Sequence, residues 1–236
     1  MSIFDQKVIK YEMKPLSSLE KVFPDETPVY RMECQMLSGL WGETVSFQVA
    51  YSGDFVMRER FDVRVVSELA EHVHVRTVEM VPVGRATNGI VDDNYLKTIS
   101  GLYPDLLKDL KDGKVIVYSR QWRSLWVDVD STNEIPAREY EIELQLIKEG
   151  EVVCSAKQKV TVIGTELPKL DIMHTEWMHA DCLADYYHVE VFSEEHWKLL
   201  ENYFQEYVKR DCNMMLTPLF TSPLDTAIGL ERTTCQ

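Results

Sequence analysis

From residue 29 to residue 163 the dominant period of the apolar side chains is two, outside one segment between 82 and 113. That is the spacing of a strand with one face buried and the other in water. Tyr140, Ile142, Leu144 and Leu146 alternate with Glu139, Glu141, Glu143 and Gln145. Val152, Cys154, Ala156, Val160 and Val162 alternate with Val153, Ser155, Lys157, Lys159 and Thr161. Glu149-Gly150 between the two runs is a turn signal, so the pair predicts a hairpin. Weaker runs cover 29–38, 44–52, 61–69, 73–81, 114–119 and 122–129. Strands repeated at such intervals predict an antiparallel β-sandwich over residues 29–168, preceded by an N-terminal extension, residues 1–28. Between 82 and 113 the period is lost, and the segment reads as one long loop carrying Gly84, Gly89, Gly101 and Pro104.

After Thr165-Glu166-Leu167-Pro168 the period changes, and this joint predicts a domain boundary. Residues 170–174 form a short strand candidate. Ser193 then stands as an N-cap before Glu194 and Glu195, whose charge suits a first helical turn. Trp197, Leu200, Phe204, Tyr207 and Val208 continue as one apolar stripe ending near Arg210. Residues 213–217 read as a second strand, so residues 169–236 predict strand, helix, strand in the order of a parallel βαβ crossover. The predicted fold class is mostly β.

Charge narrows the partners. The 236 residues hold 25 Lys and Arg against 39 Asp and Glu, a net charge of −14. A phosphate backbone is repelled on average, so no nucleic acid partner is expected. No window approaches the roughly 20 apolar residues of a membrane helix, and residues 1–10 lack the pattern of a signal peptide. No membrane partner is expected, and a cytoplasmic location is. Cys34, Cys154, Cys182, Cys212 and Cys235 are scattered without C-x-x-C spacing, which reads as thiols in a reducing compartment.

Candidate chemistry gathers after the boundary. His174, His179, His188 and His196 lie close in sequence with Glu176, Asp181, Cys182 and Asp185. A metal site is one reading; ordinary hydrogen-bonded histidines are the other. No H-E-x-x-H, paired C-x-x-C or i, i+4 histidine pair is present, so no metal ligand and no cofactor is assigned. Trp177 offers an aromatic face beside the polar Glu176, His179 and Asp181, just past a predicted strand end. That mixture suits a sugar, whose C–H faces stack and whose hydroxyls need directed partners. The alternative places Trp177 in a core and Asp181 in a turn. Asp225, past the second strand, either meets a ligand or caps a local turn. G-x-G-x-x-G, P-loop and G-x-S-x-G motifs are absent.

The string H-T-E-W-M-H-A-D-C-L-A-D-Y-Y-H-V-E-V-F-S-E-E-H-W at 174–197 resembles the opening of the barrel in glycoside hydrolase family 123. N-M-M-L-T-P-L-F-T-S-P-L-D-T at 213–226 resembles the same region. D-D-N-Y-L-K at 92–97, G-L-Y-P-D-L-L at 101–107 and Q-W-R-S-L-W-V-D-V at 121–129 look like the sandwich domain that precedes it.

The resemblance implies a β-sandwich followed by the first part of a (β/α)8 barrel, acting on glycosides of N-acetylated hexosamines. It further implies adjacent Asp and Glu residues, the Asp steadying the substrate's acetamido group and the Glu protonating the leaving oxygen. This chain departs from that pattern. A complete barrel takes roughly 250 residues, and residues 170–236 supply a fraction of one. The single Asp-Glu pair, Asp25-Glu26, precedes the strands, so no catalytic residue is carried over. Asp211-Cys212 also stands where a glycine-containing helix exit is expected. The expectations are an N-terminal glycoside hydrolase portion inactive alone, or a non-catalytic carbohydrate-binding or protein-interaction module. An open barrel edge further predicts self-association or a partner chain.

Overall fold

The computed structural model describes residues 10–28, 36–55, 58–85, 89, 91, 95–169 and 171–217. The chain forms two compact units, Met1–Leu167 and Pro168–Gln236. In the first, ten strands run in chain order among the described residues. They are β1 (Lys10–Ser17), β2 (Leu37–Trp41), β3 (Thr44–Asp54), β4 (Glu59–Val66) and β5 (Val73–Val83). Then come β6 (Gly101–Asp109), β7 (Lys114–Val117), β8 (Arg123–Asp130), β9 (Glu139–Lys148) and β10 (Glu151–Glu166).

One sheet has the order β1-β3-β8-β5-β6 and the other β2-β10-β9-β4-β7. Neighbours are antiparallel except β2 and β10. The sheets share a core because alternate residues point inward. Phe47, Val49, Leu125 and Val127 come from the first sheet, and Phe61, Val117, Ile142, Leu144 and Leu146 from the second. Each such side chain contributes roughly 1.5–3 kcal/mol by leaving water. The β9–β10 turn has Glu149 at φ 52 and Gly150 at φ 86, the double positive φ of a tight hairpin.

Three expectations are corrected. Residues 10–17, assigned to an N-terminal extension, are β1 and pair with β3. Residues 101–109, assigned to a long loop, are β6 and pair with β5. Both are edge strands of one sheet, where a half-exposed face and a proline are tolerated. In β10 the register shifts between Val152 and Cys154, so Val153 packs against the core and Val152 is exposed. The bulge adds one residue and turns the alternation over. Of the run expected at 29–38, residues 29–35 lie outside the described residues.

The segment after β1 covers the outer face of the first sheet. Leu16, Val22, Ala50 and Trp122 make a small second core there. The buried Gln48 donates to the carbonyls of Ser17, Ser18 and Glu20 and accepts from Ser124 Oγ at 2.8 Å.

The second unit holds β11 (Thr175–Trp177), α1 (Ala180–Tyr187), α2 (Glu194–Lys209) and β12 (Met214–Leu216). The two strands are parallel, with Thr175 opposite Met214 and Trp177 opposite Leu216. A parallel pair needs a crossover connection, and the two helices supply it. The first strand begins at Thr175, later than the expected 170–174, and α1 occupies residues to which the sequence pattern assigns no helix. Ala184 is the one buried residue of α1, so its sequence carries little apolar period.

Candidate functional site

β11 ends at Trp177, and α1 starts three residues later. Trp177 is 66% exposed, a free indole face rather than a core side chain. His179 is the α1 N-cap residue and is partly buried; its side chain makes no capping hydrogen bond. Asp181 lies in the first turn, where a carboxylate is favoured, and accepts from the backbone N–H of Cys182 at 3.1 Å. Met178 anchors this edge, buried, with its N–H donating to the Leu216 carbonyl at 2.9 Å. Trp177, His179 and Asp181 therefore follow one another over the C-terminal end of β11. In α/β folds that end of a parallel strand is where ligands bind.

Glu176 is turned away from Trp177. Neighbouring residues of a strand face opposite sides. Its carboxylate lies 3.4 Å from His174 Nε2, and Cys212 Sγ lies 3.7 Å from His174 Nδ1. Asn213 ties these residues together, its Oδ1 accepting from the His174 N–H at 3.0 Å and its Nδ2 donating to the Ile172 carbonyl at 2.8 Å. Burial, followed by the charges of Glu176 and Asp211, holds the Cys212 thiol above its ordinary pKa. Asp211 sits at φ 57 at the exit of α2, the left-handed conformation for which glycine was expected. Asp225 lies outside the described residues.

His196 has structural partners on both ring nitrogens. His196 is fully buried, with Nδ1 accepting from the Phe192 N–H at 2.8 Å and Nε2 2.7 Å from the Ala180 carbonyl. Its own N–H donates to Ser193 Oγ at 3.2 Å, the expected N-cap. His188 closes α1 at φ 56. Beside it, Tyr187 and Tyr203 hydroxyls lie 3.1 Å apart. That hydrogen bond first, then burial, pushes the Tyr203 phenol up to about 12. The grouping of His174 with Cys212 was not visible in the sequence, because 38 positions separate them. The strand register brings them together.

In the first unit, Lys97 Nζ lies 3.1 Å from Asp25 and 2.8 Å from Glu26. The chain's Asp-Glu pair is thus an ion-paired feature of the sandwich unit. Among the described residues no helix is long and apolar enough to cross a membrane.

Residues 177–236 match the sequence profile described as "Glycoside hydrolase 123, catalytic domain". No curated protein matches significantly. Among solved structures, a family 123 glycoside hydrolase from Clostridium perfringens, reported for glycolipid glycan hydrolysis, superposes with TM-score 0.63 at 13% identity. The match covers 87% of this chain and 37% of that one, so this chain spans well under half of that enzyme. A beta-glucosidase from Listeria innocua gives TM-score 0.30 at 10% identity, over 68% of this chain and 17% of that one. The N-terminal domain of PorA gives 0.30 at 11%, over 62% and 99%. These last two are too distant to carry an argument. From Trp177 onward the chain is similar to the catalytic domain of glycoside hydrolase family 123, and it shares its fold with the Clostridium family 123 enzyme.

Proposed function

We propose that the chain supplies the sandwich and the opening strand, helices and strand of a (β/α)8 barrel that handles glycosides of N-acetylated hexosamines. In this reading Trp177 stacks on a sugar face while His179 and Asp181 meet its hydroxyl or acetamido groups. The observation that carries it is a coincidence at one residue: the catalytic-domain match begins at 177, where β11 ends.

The 236 residues by themselves bind but do not cleave. Substrate-assisted cleavage needs an Asp-Glu pair beside the sugar, and Asp25-Glu26 is ion-paired with Lys97 in the other unit. Incubation with a chromogenic N-acetylgalactosaminide should release no chromophore, while calorimetry with the same glycoside should detect binding. Turnover by the purified chain would overturn the non-catalytic part; absence of binding would overturn the sugar site.

A second reading, an interaction module, is favoured by one observation. Along α2, Trp197, Phe204 and Val208 are 53%, 41% and 70% exposed although they form its apolar stripe. An uncovered stripe of this kind favours association with a second copy or a partner chain. Light scattering over a concentration series separates the readings, since a strict monomer leaves only the first.

A further inference from the structure

We propose that His174, Glu176 and Cys212 form a zinc site that clips the start of β11 to the start of β12. Their donor atoms all lie within 4.8 Å of one another. On a tetrahedral zinc ion, nitrogen and oxygen donors stand roughly 3.4 Å apart, and nitrogen and sulfur roughly 3.6 Å. The corresponding separations here are 3.4 Å between His174 Nε2 and Glu176, and 3.7 and 3.8 Å between the two ring nitrogens and Cys212 Sγ.

The backbone prepares this arrangement. Parallel pairing of Thr175 with Met214 sets His174 beside Asn213, and the Asn213 amide spans from the His174 N–H to the Ile172 carbonyl. Cys212 is then held next to the ring by its position in the chain. Sulfur lies almost equally far from both ring nitrogens, beside the imidazole rather than along one lone pair. A well-aimed S–H···N bond is thus not what joins them. Seating the ion needs the imidazole to turn a lone pair toward it, a rotamer-scale change for a partly exposed side chain.

Thiolate, imidazole and carboxylate together select zinc over magnesium or calcium, which take oxygen donors. Glu176 and Asp211 add the negative field that a divalent cation requires. On binding, the Cys212 S–H bond breaks, its electron pair goes to the metal and its proton to buffer; nothing is oxidised or reduced. Water completes the fourth position. The proposal is independent of the sugar reading.

Metal-free, reduced full chain is titrated with Zn2+ against a chromophoric chelator, and separately with Co2+. The expected result is one ion per chain, release of a proton, and a thiolate-to-cobalt charge-transfer band. Cys212→Ser and His174→Gln should each weaken zinc by more than the roughly 10–100-fold that a lost outer-sphere partner costs. Cys182→Ser should leave binding unchanged. Equal zinc binding by native and Cys212→Ser protein would overturn the site, as would a cobalt spectrum without the sulfur band. If a variant fails to fold, the cobalt spectrum of the native chain decides alone.

Discussion

His196 Nε2 donates to the Ala180 carbonyl at 2.7 Å, and this bond fastens α2 onto the start of α1. The ring is fully buried, so its removal leaves that carbonyl and the Phe192 N–H unpaired and opens a cavity. His196→Ala should destabilise the second unit by about 2–4 kcal/mol. Urea unfolding followed at the two units separately checks it: the sandwich transition should stay in place.

Gln48 has the same standing in the first unit. It is a buried amide facing three carbonyls and the Ser124 hydroxyl. Gln48→Leu keeps the volume but strands those partners, and a loss of about 2–3 kcal/mol is expected. The segment following β1 should then exchange its amide hydrogens faster than the core strands, a difference that hydrogen exchange resolves.

Trp177 stands open beside His179 and Asp181. Trp177→Ala should weaken binding of an N-acetylgalactosaminide by about 1 kcal/mol, roughly fivefold, without changing the melting temperature. Calorimetry measures the first quantity and differential scanning the second. A large fall in stability would mean that the ring is structural.

The Asp25 carboxyl is held below the usual carboxylate range, first by its hydrogen bond from Lys97, while Lys97 is raised, first by its hydrogen bond to Glu26. A depressed acid stabilises the fold above its unfolded pKa and ceases to do so as pH falls through its folded value. A raised lysine stabilises below its unfolded pKa and ceases to do so as pH climbs through its folded value. The contact therefore acts between these limits and is lost in acid and in strong base. In a Lys97→Met variant the Asp25 carboxyl carbon should titrate at a higher pH than in the native chain, and sugar binding should be unaffected.

The strands that were legible before the structure lie where burial is one-sided and strong. Tyr140, Ile142, Leu144 and Leu146 announce β9 because each is buried and the residues that separate them, Glu141, Glu143 and Gln145, are charged or polar. β1 and β6 escaped notice because an edge strand needs less apolar surface; Pro15 and Pro104 also read as breakers when the chain is taken alone. In α2, Ser193 and the following stripe gave the helix directly, since capping and period are local properties. The grouping of His174, Glu176 and Cys212 depends on strand register, a non-local quantity that spacing along the chain does not encode.

Pro104 has one more consequence. It lies in β6, the open margin of its sheet, where it offers no N–H, and its carbonyl accepts from Lys21 Nζ at 3.2 Å. A strand arriving from a neighbouring molecule finds no donor at that residue and an acceptor already engaged by a lysine, which opposes the lengthening of the sandwich into a fibre along that border.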